Sequence, residues 1–124
     1  MERLQEREFP DRPSQLFRII RIECDRPLEG LRALLWGESP WAEPLGRELT
    51  QAGTQVRYGQ EAVETEDQFD LIVLFEELSA DTLGSLACAG ALVVDAVRQK
   101  NVEWTVYDPA LHYRRIRVVS IAGF

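Results

Sequence analysis

The chain has 124 residues, 45% hydrophobic and 28% charged, with a formal net charge of −7. That composition excludes low complexity and disorder, and the length predicts one domain, residues 16–124 behind a polar arm at 1–15. The acidity argues against nucleic acid and anionic membranes as partners, and no apolar run approaches the roughly 20 residues of a membrane helix.

In chain order, the opening MERLQEREFPDRP lacks the apolar core of a secretory signal, so a cytoplasmic protein is expected, with buried, reduced thiols at Cys24 and Cys88. LFRIIRIE, Leu16 to Glu23, alternates apolar and basic residues around a β-branched centre and predicts a half-exposed edge strand. Leu31 to Trp36 is a short apolar run and predicts a buried strand. Ser39 and Pro40 then start a helix, Trp41, Leu45, Leu49 and Ala52 give it one apolar stripe, and Gly53 closes it in a left-handed cap.

Thr54 to Tyr58 predicts the next strand, followed by the acidic stretch GQEAVETEDQ as a loop or short helix. Leu71 to Phe75 and Ala91 to Val97 are the clearest buried strands, with a helix between them that Ser79 caps and Gly90 ends. Val102 to Tyr107 and Arg115 to Ile121 predict two strands joined too tightly for a crossover helix, hence antiparallel neighbours. The order gives a three-layer Rossmann-like α/β sandwich, mostly parallel, closed by a C-terminal antiparallel pair.

Ligands of such sheets bind beyond the carboxyl ends of the strands. Those ends bring forward Gly37, Glu38, Gly59 and Glu61 as candidates for a cofactor, and Glu76 and Glu77 as candidate catalytic carboxylates. Adjacent residues of a strand point to opposite sides, so Glu76 and Glu77 are not expected to share a site. The turn after Trp36, WGESPWAEPLG, spaces its glycines nine apart, with Pro40, Trp41 and Pro44 between them. That bulk is expected to keep a nucleotide off the main chain. His112 is the single histidine and lacks a second metal ligand or a nearby nucleophile.

Charge is unevenly spread: residues 33–81 carry a net −9, whereas 1–32 are neutral. The dense basic patch Arg114, Arg115 and Arg117 suits an acidic partner or the acidic middle of a second copy.

From Leu31 onward the strand order resembles the class I S-adenosylmethionine-dependent methyltransferase core, most closely in FDLIVLFEELSADTLGSLACAGALVVDA, Phe69 to Ala96. By position, that resemblance turns Gly37, Glu38 and Glu61 toward the cofactor and Glu76 and Glu77 toward the acceptor. It lacks the family's glycine-rich loop after Trp36 and an acid at Tyr58. Arg26 to Tyr58 is similar to the opening of family III CoA-transferases, which implies a reduced relative or fragment. The β-α-β rhythm is also similar to response-regulator receivers, without their acidic pair or late lysine.

The expectation from these residues is a non-catalytic Rossmann-like module without a cofactor, acting as a structural or protein-interaction subunit and contacting a protein partner or another copy of itself. The alternatives are a small methyltransferase-like enzyme that takes S-adenosylmethionine and a CoA-transferase-like fragment.

Overall fold

The computed structural model describes residues 2–59, 68–78, 80–96 and 116–120. In chain order its elements are α1 (Glu2–Glu23), β1 (Arg32–Trp36), α2 (Ala42–Gln51), β2 (Gln55–Gly59), β3 (Phe69–Leu74), α3 (Ala80–Leu86), β4 (Ala87–Asp95) and β5 (Arg117–Ser120). The strands form one sheet in the order β2-β1-β3-β4-β5, and every pairing is parallel. This is the flavodoxin-like order of the doubly wound, Rossmann-like fold, whose switch point lies between β1 and β3.

A parallel sheet covered on both faces needs apolar residues on both sides of its central strands, and this sheet has them. Ala33 and Leu35 of β1, Leu71 and Val73 of β3, and Leu92 and Val94 of β4 pack with Leu16 and Ile20 of α1 and Leu45 and Leu49 of α2. The alternate residues Leu34, Ile72, Leu74 and Val93 face the other way, against Leu83 and Leu86 of α3. Three layers result, with β2 at one edge, where Tyr58 is 54% exposed.

The segment Leu16 to Glu23 is the C-terminal part of α1 and not a strand. Leu16 and Ile20, four residues apart, are both fully buried, while Ile22 is 72% exposed. A strand would put Ile20 and Ile22 on one face; a helix separates them. Packing of the Leu16–Ile20 stripe on α2 overrides the β-branched local preference.

The next helix starts two residues later than its sequence suggests, with Trp41 and not Ser39 at the N-cap. The Ser39 hydroxyl accepts the Trp41 N–H at 3.1 Å, and regular α2 begins at Ala42. The far end of α2 is the expected glycine cap: Gly53 has φ +91°, its N–H donates to the Thr50 carbonyl, and the Thr54 N–H donates to that of Leu49. This is the Schellman arrangement.

Gly90, expected to end a helix, lies inside β4 with φ +80°. There Ala87 to Leu92 opposes only Phe69 to Leu71, so the strand bulges before its regular stretch. The last strand, β5, runs parallel to β4. Its expected antiparallel partner, 102–107, lies outside the described residues. Cys24 and Cys88 are not joined in a disulfide, and both are half-buried rather than buried.

Candidate functional site

At the carboxyl ends of β1 and β2 the backbone opens into a cleft of about 650 Å³, lined by Gly37, Glu38, Ser39, Ala42, Glu43, Arg47, Tyr58 and Gly59. Its floor is the end of the strand ladder, where the Gly37 N–H donates to the Gly59 carbonyl at 2.8 Å. Gly37 has φ +98°, a backbone conformation that side-chain-bearing residues rarely adopt, and this lets β1 turn sharply toward α2. Glu43 and Arg47, four residues apart on the same face of α2, form one wall.

Tyr58, near the end of β2, also lines the cleft. Its ring and hydroxyl lie against Gly46, where a Cβ would collide with the Tyr58 hydroxyl. The bare surface of α2 at Gly46 therefore sets how closely the tyrosine approaches. Glu38 and Glu43 make the rim acidic, with Arg47 as the opposing charge.

Across the switch point, Glu76 follows β3 and reaches back to β1. Its Oε2 accepts the Glu38 N–H at 2.9 Å. Its side chain also lies over Gly37, where an added Cβ would meet Glu76 Cγ at 2.7 Å. Glu77 is exposed.

Of the residues singled out from sequence, Gly37, Glu38 and Gly59 come together in the cleft, and Glu76 bonds to its edge. Glu61, Arg114, Arg115 and His112 lie outside the described residues. Arg117 is described, and its guanidinium pairs with Glu23 at the end of α1.

The expected obstruction is absent. Trp41 packs against the core between the sheet and the α1–α2 layer, and neither it nor Pro40 nor Pro44 lines the cleft. An indole at the start of an amphipathic helix gains more from that apolar layer than from a wet cleft. The group that does sit on the turn is Glu76.

Sequence reasoning missed Arg47 and Tyr58. The i, i+4 spacing of Glu43 and Arg47 was a usable signal for the first, and Gly46 opposite an aromatic strand end was one for the second. It also missed Asp70. Asp70 accepts the Arg32 N–H at 3.0 Å and pairs with Arg26 at 3.2 Å, pinning the start of β1 to β3 at the end of the sheet away from the cleft. Among the described residues, no group of His, Cys, Asp and Glu is arranged to hold a metal ion. No described helix is long and apolar enough to cross a membrane.

No protein-family model matches the chain, and no curated protein matches it significantly. Solved structures do. The dipicolinate synthase A chain from Bacillus subtilis superposes with a TM-score of 0.69 at 12% identity, over 90% of this chain and 44% of that one. A D-isomer-specific 2-hydroxyacid dehydrogenase from Lactobacillus delbrueckii ssp. bulgaricus, in its NAD-complexed form, gives 0.59 at 14% identity, again over 90% and 44%. An NAD-dependent formate dehydrogenase from Staphylococcus aureus in complex with NAD gives 0.60 at 13% identity, over 78% and 36%. The chain thus spans less than half the length of these structures.

At such identities the likeness establishes the fold. It also corrects two expectations. The structural neighbours are dehydrogenases and a dipicolinate synthase, where the sequence pattern suggested a methyltransferase or CoA-transferase relative. Phe69 to Ala96 carries a β-α-β unit common to many doubly wound folds, which explains that misdirection. The expectation of no cofactor, or of S-adenosylmethionine, is overturned by neighbours whose structures are NAD complexes.

Proposed function

We propose that this chain is a dehydrogenase-type Rossmann-like module that receives the nucleoside end of an NAD-type dinucleotide in the cleft over Gly37, Tyr58 and Gly59. In this reading it has no catalytic apparatus of its own and works in the cytoplasm beside a second domain or chain that supplies the reacting groups. The observation that carries the proposal is the position of the cleft. It opens at the carboxyl ends of two adjacent parallel strands, beside a positive-φ glycine and the start of a helix. That is where doubly wound folds bind ligands.

The lining residues suit one part of such a ligand. Glu38 and Glu43 offer carboxylate acceptors for ribose hydroxyls, and Tyr58 offers a flat apolar face for a base. A phosphate at the β1 turn does not fit, because the Glu38 N–H that would hold it is already bonded to Glu76. When bound, the dinucleotide supplies hydride-transfer chemistry. This chain's part is to hold and orient the nucleoside end, with Arg47 facing whatever negative charge leaves the cleft.

Support for a companion comes from the neighbours, which are more than twice as long as the part this chain matches. Arg117, half-exposed beside Glu23, is a contact available to it.

Calorimetric titration tests the proposal. NAD+ and NADH are expected to bind in the micromolar to low-millimolar range, while pyrophosphate, which has no nucleoside, gives no heat beyond dilution. No saturable binding of either NAD+ or NADH, or saturable binding of pyrophosphate alone, would overturn it.

A further inference from the structure

We infer that Glu76 is a specificity-determining residue: its carboxylate takes the place of a phosphate at the β1 turn and restricts the cleft to the phosphate-free part of a nucleotide. This rests on, and deepens, the nucleotide reading above.

Three observations converge on it. Glu76 Oε2 accepts the Glu38 N–H at 2.9 Å, as a phosphate oxygen would at the start of a βα turn. The side chain also covers Gly37, with Cγ, Cβ and Oε2 at 2.7, 2.8 and 2.8 Å from where a Cβ would stand. The close approach that a bare glycine permits is thus used by Glu76 itself. Finally, Glu76 follows β3 and reaches a residue that follows β1, so it bridges the switch point where ligands of this fold settle.

A fixed negative charge here acts in two ways. It consumes the backbone donor, and it repels a second anion at short range. Glu38 and Glu43 add to the repulsion, and Arg47 is the cationic side chain among the described lining residues. Neutral, hydroxyl-rich groups meet no such barrier. The ligand class is therefore a nucleoside or the nucleoside end of a dinucleotide, with its phosphates held outside the turn.

The experiment uses 15N-labelled wild-type chain, Glu76→Gln and Glu76→Ala at one ionic strength, titrated with pyrophosphate, adenosine and ADP. Glu76 is exposed, so neither variant opens the core. In the wild type, pyrophosphate is expected to leave the Glu38 amide resonance in place, and ADP to bind within about threefold of adenosine. In Glu76→Ala, pyrophosphate is expected to move that resonance, and ADP to bind about tenfold or more tighter than adenosine. Glu76→Gln keeps an acceptor without the charge and is expected to fall between the two.

Wild-type chain that binds ADP more than about tenfold tighter than adenosine would overturn the inference. So would a folded Glu76→Ala that gains neither pyrophosphate nor ADP. Pyrophosphate gained by Glu76→Ala with adenosine bound by no form would uphold the role of Glu76 and refute the nucleoside reading. Adenosine bound equally by all forms, with no gain for phosphates, would do the reverse.

Discussion

Gly37 is under two separate demands, a left-handed φ of +98° and a Glu76 side chain packed where its Cβ would be. Gly37→Ala is therefore expected to destabilise the fold by about 2 kcal/mol, from backbone strain plus the clash. In a Glu76→Ala background the same change is expected to cost about 1 kcal/mol less, since only the strain remains. Urea denaturation of the four proteins measures this coupling, and an equal cost in both backgrounds would show that the contact is not restrictive. At this scale the sequence was informative about position and poor about contact. Gly37, Glu38 and Gly59 were legible because strand ends in a parallel sheet locate a site. The bulk of Trp41 misled because nothing in a local pattern says which way an indole turns. Its destination, the α1–α2 layer, depends on a helix that the pattern had assigned to a strand.

That helix is the main departure among the elements. Leu16 to Glu23 satisfies a strand pattern and a helix pattern equally over so short a span, and only the tertiary partner decides. The two readings differ on Ile20 and Ile22, which share a face in a strand but not in α1. Ile20, fully buried, is expected to cost about 3 kcal/mol when changed to alanine. Ile22, largely exposed, is expected to cost less than about 0.5 kcal/mol. Thermal or urea unfolding distinguishes them, and equal costs would argue for the strand. Elsewhere the apolar runs were decisive. The strands at Leu31 to Trp36 and Leu71 to Phe75 stand within two residues of their expected limits, because the centre of a doubly covered strand is a run of apolar residues. Gly90 was recognised as a break but misplaced, since a positive-φ glycine serves a bulge inside β4 as readily as a helix end.

For the whole molecule, the uneven charge acquires a location. The acidic middle of the chain supplies Glu38 and Glu43 to the cleft and Glu76 and Glu77 to the end of β3, so part of the excess gathers at the carboxyl edge of the sheet. The sequence showed the excess and the layered architecture, but its resemblances pointed to the wrong families, because a β-α-β unit is shared across chemistries. The central claim is that the carboxyl ends of β1 and β2 receive a nucleotide. The most direct measurement is the amide spectrum of 15N-labelled chain titrated with NAD+. The account predicts shifts concentrated at Gly37, Ser39, Arg47, Tyr58 and Gly59. Shifts that leave those residues unmoved and gather instead around Phe17, Arg21 and Glu48, in the groove between α1 and α2, would contradict it.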